Sequence, residues 1–236
     1  MTIMPSDDKM LLIRNYDLWC NLSDQDYKDL NIEHHFLEVP KGEYIYFEAY
    51  NHNKIYFVKE GYIRIGFIDA AGNEKVKEII QKGELFGQFT LEKNNLHGEF
   101  AQAYKQDVSL CAFRIDDFEK LLQKRPDLAL RYSKQVGAKL RNIENRLLNL
   151  LNKDVKTRLI HFFWQLVEQK LGENQPEGFC IPNYLKHEDI ANLIGSSRQT
   201  VTTMINALET DGILSFNRQQ ICYLNVKKLQ KLVSVN

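Results

Sequence analysis

The stretch from Lys186 to Gly212, KHEDIANLIGSSRQTVTTMINALETDG, narrows the choice of fold most, because it spells two short amphipathic helices separated by a glycine. In the first, Ile190, Ala191 and Ile194 fall on one side with Leu193 beside them, and Ala191 is small where a second helix must pass close. Gly195 supplies a left-handed backbone that a side chain resists. Ser197 suits the N-cap of the second helix, whose apolar positions Val201, Ile205 and Leu208 recur at i, i+4 and i+7. The opposite face carries Arg198, Gln199, Thr202, Thr203 and Asn206, and no carboxylate interrupts the helix before Glu209. Such a face can donate to phosphates or base edges. Paired amphipathic helices also occur in α-rich domains of every kind. Here the following GILSFNRQQICYL reads as a β-hairpin turning near Asn217 to Gln220, which makes the pattern that of a winged helix-turn-helix.

Upstream the pattern changes. From about Phe36 to Arg114 the chain runs through short β-rich segments (EYIYFEAY, KIYFVKEG, YIRIGFID, KVKEIIQKG, EFAQAYK, SLCAFRI) punctuated by Gly42, Gly61, Gly72, Gly83 and Gly87. This predicts a sandwich or barrel of short strands with turns at the glycines and a hairpin at Ala70 to Asn73. Residues 1–30 read as helical, with an amphipathic piece over Asp24 to Leu30, and a short helix is expected over Asp116 to Gln123. After the break at Arg125-Pro126 a long helix is predicted to about Leu151. Along it Ala129, Ser133, Val136, Leu140, Ile143, Leu147 and Leu150 step alternately by four and three, a heptad seam that wants a partner helix. Packing on the chain's own β-domain is the competing explanation, and one helix can serve both. Asp154 reads as the N-cap of an aromatic helix over Val155 to Lys170, with Asn152-Lys153 as hinge, and the polar stretch Gly172 to Gly178 as a loop inside the second domain.

Composition sets bounds but no specific role. With 44% apolar and 26% charged residues in 236, the chain suits one large or two modest globular domains. It holds no apolar run of about 18 residues, and its start is too polar for a signal peptide, so a cytoplasmic protein without membrane contact is expected. Cys20, Cys111, Cys180 and Cys222 lack metal or disulfide spacing, and they are expected as buried free thiols; no metal or cofactor is predicted. From Lys186 onward Lys and Arg exceed Asp and Glu by two, a weak basic bias within a chain of net charge zero, so DNA affinity must come from local placement of charge. Histidines and cysteines form no nucleophilic or metal arrangement, so no enzyme is expected; His161, on the aromatic helix, reads as packing.

A β-rich domain, a long heptad helix, a capped Asp hinge and a winged helix-turn-helix follow one another in this order in the CRP/FNR family of bacterial transcription regulators, which the chain resembles over nearly its full length. The resemblance is carried by Gly42-Glu43-x-Ile45 with Glu48, FVKEGYIRI around Gly61, GELFGQ at Gly83 to Gln88, Asp154-Val155, and GSSRQTV at Gly195 to Val201. It implies an α+β fold: an N-terminal β-roll, jelly-roll-like and of the cyclic-nucleotide-binding kind, over 1–124, a dimerisation helix and hinge over 125–153, and a C-terminal winged helix-turn-helix over 154–236. It also implies a homodimer seamed by Val136, Leu140, Ile143, Leu147 and Leu150, binding double-stranded DNA and RNA polymerase.

The best-known base readers of the family are an Arg, a Glu and a further Arg; the matching residues here are Arg198, Gln199 and Thr203, so a different operator is expected. Arg198 suits guanine O6 and N7, and Gln199 suits adenine N6 and N7. Ser197, Thr200, Thr202, Lys186 and His187 are candidates for backbone contacts, with Lys186 standing where a Ser or Thr would cap the first helix. In the effector pocket implied by the resemblance, Gly87, Gln88, Glu99, Phe100, Ile143 and Glu144 take the places of the nucleotide-binding residues. Glu99 would oppose a cyclic phosphate by about 4 kcal/mol at about 4 Å and an effective dielectric of about 20, so the effector, if any, is not cyclic AMP. Cys20 alone cannot support the family's iron–sulfur cluster, and His34, His35, His52 and His97 are not read as haem ligands. The alternative reading is a ligand-binding or protein-interaction module whose helix-turn-helix no longer reads DNA.

Overall fold

A computed structural model of the protein describes residues 34–47, 53–87, 99–171 and 178–234. The helix expected over residues 1–30, Cys20, Glu48, His52, Gln88, His97 and the stretch 172–177 lie outside these. The chain divides into two compact units, Met1–Leu140 and Arg141–Asn236, of the α+β class.

The first unit is a six-stranded antiparallel sheet of β1 (His34–Val39), β2 (Tyr44–Tyr46), β3 (Lys54–Ile68), β4 (Glu74–Ile80), β5 (Leu85–Gly87) and β6 (Glu99–Arg114). Its order is β1-β6-β3-β4, with β2 added to β6 and β5 to β3. Helix α1 (Ile115–Lys124) follows, and α2 (Pro126–Asn152) then runs on into the second unit. The Ala70 to Asn73 hairpin is present: Asp69 Oδ1 accepts from the backbone of Ala71 and Asn73, and Gly72 N donates to Asp69 O.

Six short strands were the expectation, with Gly61 as a turn. Instead KIYFVKEG and YIRIGFI form one strand, as do EFAQAYK and SLCAFR, and each shifts register midway. Gly61 has φ of 92°, and a Cβ there would lie 2.7 Å from Asp107 O, so glycine is required by a bulge against β6 rather than by a chain reversal. The bulge has a consequence for packing. Strand alternation would turn Ile63 and Ile65 away from the core that holds Tyr56 and Val58, yet all four share it. The extra residue flips the phase. On β6 the same flip occurs around Lys105, at φ of 67°, bringing Ala101 and Ala103 to the face of Val108, Leu110 and Ala112. The other face of the sheet packs Ile55, Phe57, Cys111 and Phe113 against Phe118 and Leu121 of α1 and Leu128 and Tyr132 of α2.

The second unit contains the end of α2, α3 (Val155–Leu171), β7 (Phe179–Pro182), α4 (His187–Ile194), α5 (Arg198–Thr210), β8 (Leu214–Phe216), β9 (Gln220–Tyr223) and α6 (Val226–Ser234), with a sheet ordered β7-β9-β8. Asp154 caps α3 by accepting from Thr157 N at 2.7 Å; these hydrogen bonds hold its carboxyl below the usual range. The aromatic helix packs as expected: Phe163 is buried, and its carbonyl accepts from the Tyr223 hydroxyl.

One expectation about the cysteines is overturned. Cys180 and Cys222 are not free thiols but a disulfide, because the antiparallel register of β7 and β9 sets them directly opposite one another. Cys111 is free and buried, and burial pushes its thiol well above the ordinary range. Among the described residues no group of His, Cys, Asp and Glu is placed to hold a metal, and no helix is long and apolar enough to cross a membrane.

Candidate nucleic-acid interface

The turn between α4 and α5 is built from the residues that announced it. Gly195 adopts φ of 65°; its N–H donates to Asn192 O and that of Ser196 donates to Ala191 O, closing α4 with a left-handed cap. Ser197 then opens α5, its Oγ accepting from Thr200 N at 3.1 Å. Ile190, Ala191, Ile194, Val201, Ile205 and Leu208 are all buried between the helices and the rest of the unit.

That burial leaves one side of α5 to solvent. Ser197, Arg198, Gln199, Thr203 and Asn206 are exposed, and the first turn carries no acidic residue. The side chains of Arg198 and Gln199 make no hydrogen bond among the described residues. Glu209, the first carboxylate on the helix, is turned to the wing, where it accepts from Phe216 N at 2.8 Å. The free end of α5 therefore combines a helix N-terminus, a guanidinium and an amide, a set of donors suited to an anionic, hydrogen-bonding surface.

The hydroxyls are more occupied than the sequence alone suggests. Thr202 Oγ1 donates to Arg198 O and Thr203 Oγ1 to Gln199 O, so each must rotate before it can donate outward. Thr202 Oγ1 also lies within hydrogen-bonding distance of His187 Nδ1, at 2.8 Å. His187 is half-buried against Phe216, and burial, reinforced by the charge of Arg198, lowers its pKa below the ordinary histidine value. It thus joins α4, α5 and the wing. Lys186 is exposed at the start of α4; having no acceptor to cap with, it leaves that role to Asp189, whose Oδ2 accepts from Lys186 N at 2.7 Å.

Three arginines contribute that the sequence pattern does not single out. Arg158 donates to Leu150 O, Lys153 O and Gly195 O, and Arg146 reaches Asn192 O at 3.5 Å, so the end of α2 is tied to the turn of the helix-turn-helix. Arg158 is the one arginine of α3, following Lys156 and Thr157 and preceding Leu159 and Ile160. The third is Arg218, exposed at the tip of the wing, where Asn217 N donates to Gln220 O.

The residues matched to an effector pocket do not form one cluster. Glu99 is buried on β6, accepting from the Tyr46 hydroxyl at 2.8 Å and from Lys77 Nζ at 2.6 Å. Burial and this carboxylate raise the Tyr46 pKa far above its ordinary value. Lys77 compensates the charge, so the repulsion expected from a bare Glu99 does not apply as stated. Phe100, its neighbour, projects to the opposite face of β6, beneath the Arg64 guanidinium and edge-on to Tyr44. Gly87 ends β5 with φ of 94°, and Gln88 lies outside the described residues. Ile143 and Glu144 are exposed on the part of α2 that belongs to the second unit.

Two family models match the chain in sequence, the cyclic nucleotide-binding domain over residues 36–125 and the Crp-like helix-turn-helix domain over residues 157–232. The chain is 26% identical over 186 residues to the global nitrogen regulator of Synechocystis sp., covering 78% of this chain and 82% of that protein. It is 26% identical over 176 residues to the cyclic AMP receptor protein of Thermus thermophilus, covering 74% and 77%. The fold is similar to that of FixK2 from Bradyrhizobium japonicum, with a TM-score of 0.71 at 23% identity over 85% of this chain and 98% of that one. With a β-domain matching the cyclic nucleotide-binding model and a helix-turn-helix, open on its donor face, matching the Crp-like model, the chain belongs to the CRP/FNR family of DNA-binding transcription regulators.

Proposed function

We propose that the protein acts as a cytoplasmic homodimer reading a two-fold-symmetric DNA site, with α5 in the major groove, and that it regulates transcription in contact with RNA polymerase rather than by catalysis. The observation that carries this reading is the exposed Arg198, Gln199, Thr203 and Asn206 face, with the first carboxylate on the helix, Glu209, bound to the wing. Arg198 pairs with guanine, Gln199 with adenine, and Ser197, Thr200, Lys186 and His187 lie along the phosphates. Half-sites fall about 34 Å apart, one helical turn.

Dimerisation is supported by Leu140, Ile143, Leu147, Leu148 and Leu151, apolar side chains left exposed along the later part of α2. The test is to select genomic fragments on the intact protein at low salt and footprint the winner. Arg198→Ala is expected to cost about 1 to 3 kcal/mol of specific binding with the dimer intact. An unchanged footprint and affinity would place the reading surface elsewhere.

A further inference from the structure

We propose that Cys180 and Cys222 form a reversible thiol–disulfide site in the second unit, at which small-molecule thiols and disulfides set how firmly the wing is held and so how tightly the unit grips DNA. This rests on the DNA-reading proposal above. The two residues face each other across β7 and β9 with Cα atoms 4.0 Å apart. They lie 42 residues apart in sequence, and the covalent loop they close contains α4, α5 and β8, the whole reading element.

The strand that carries this bond lies at the edge of its sheet. β7 is four residues long, and its last residue, Pro182, has no N–H to give to the ladder. Besides the bond, it is held by its pairing with β9, by Phe179 stacked on Tyr223 at 5.0 Å and by the buried Ile181. The next residue carries the consequence to the wing. Asn183 donates from its backbone to Gln219 O at 2.8 Å and from Nδ2 to Asn217 O at 2.6 Å, while its Oδ1 accepts from Leu185 N at the entry to α4. Loss of the cross-link lets β7 fray, and Asn183 with it, so the tip bearing Arg218 loses its anchor. Phe163, Val201, Leu214 and Tyr223 are buried in the core of the unit, which is expected to stay folded when the bond opens.

The bond is placed to be made and broken. Cys180 is exposed while Cys222 is buried, so Cys180 is the partner at which an incoming thiolate is proposed to attack. That thiolate bonds to Cys180 Sγ, the Cys180–Cys222 bond breaks, and the electron pair leaves on Cys222, which takes a proton from water. A second thiol then displaces Cys180 from the mixed disulfide; two thiols have been oxidised to one disulfide and the protein disulfide reduced to two thiols. A small-molecule disulfide such as oxidised glutathione reverses the sequence. Disulfides are rare where glutathione-type thiols prevail, and those that form there are commonly transient and redox-sensing.

The experiment equilibrates the intact protein in buffers of reduced and oxidised glutathione, traps thiols by alkylation, and reads the state of each cysteine by mass. Hydrogen exchange and affinity for the selected DNA fragment are measured in parallel. The expected result is about tenfold weaker DNA binding in the reduced form, with faster exchange at residues 179–183 and 217–223. Cys180→Ser, an exposed substitution, is expected to match the reduced form and ignore the buffer, whereas Cys20→Ser retains the response. Failure to trap a Cys180–Cys222 bond in the most oxidising buffer overturns the proposal, as does a glutathione response that survives in Cys180→Ser. Equal, specific binding by both forms overturns the switch and leaves DNA reading standing; no retained DNA in either form overturns both.

Discussion

The two halves of α2 share one heptad pattern and meet opposite fates. In the first half, Leu128 and Tyr132 are buried, and Ala129 and Val136 of the seam pack against the same core formed with α1 and the sheet. In the second, Leu140, Ile143 and Leu147 continue the seam at 55%, 56% and 54% exposure. Periodicity reports that a helix has an apolar stripe; it does not report what covers it. Where an element of the same unit is close, the stripe becomes core. Where none is, the stripe stays exposed, and the leucines left open on this 27-residue helix are the observation on which the proposed dimer rests.

The largest effect is expected from breaking the open half. Replacing Leu140 and Leu147 together by Asp removes about 1.5 to 3 kcal/mol of burial per leucine in the proposed dimer and adds charge repulsion across the two-fold axis. Sedimentation velocity should then find the monomer mass with an unchanged circular dichroism spectrum; a dimer of unaltered stability would show that the stripe has another purpose. Breaking the closed half comes next. Phe118→Ala empties a fully buried site that meets Tyr132 edge-on at 5.1 Å and should cost about 3 to 5 kcal/mol in denaturant unfolding, with α2 losing its local anchor. The smallest effect sharpens the contrast at the end of the helix. Gly195→Ala forces a side chain into the left-handed region, costing about 1 to 2 kcal/mol, and sets its Cβ 2.8 Å from Leu150 Cδ2. The melting temperature should fall by a few degrees, about 2 to 8 °C, and DNA affinity should fall with it.

The reading unit was legible almost residue by residue because its signals are local. A cap, a left-handed glycine and an i, i+4, i+7 stripe each act within a turn or two of helix, and Ser197, Gly195, Val201, Ile205 and Leu208 all take the roles expected of them. The β-domain was less so. Gly61 signalled a positive φ, which serves a bulge as well as a turn, and only pairing with β6 decides between them. The disulfide escaped for a similar reason: Cys180 and Cys222 meet only through the register of two strands distant in sequence. Glu99 could be read as a charge but not as a compensated one, since Lys77 and Tyr46 arrive from other strands. Arg158 has no such local signal, since backbone carbonyls are not marked by residue type and one of its partners, Gly195 O, lies 37 residues away.

That guanidinium makes an elbow of what the sequence suggested was a hinge. By gripping both the last turn of α2 and the carbonyl of Gly195, it leaves little slack between the shaft and the tool, and a twist of the shaft end would turn Ser197 and Arg198 with it.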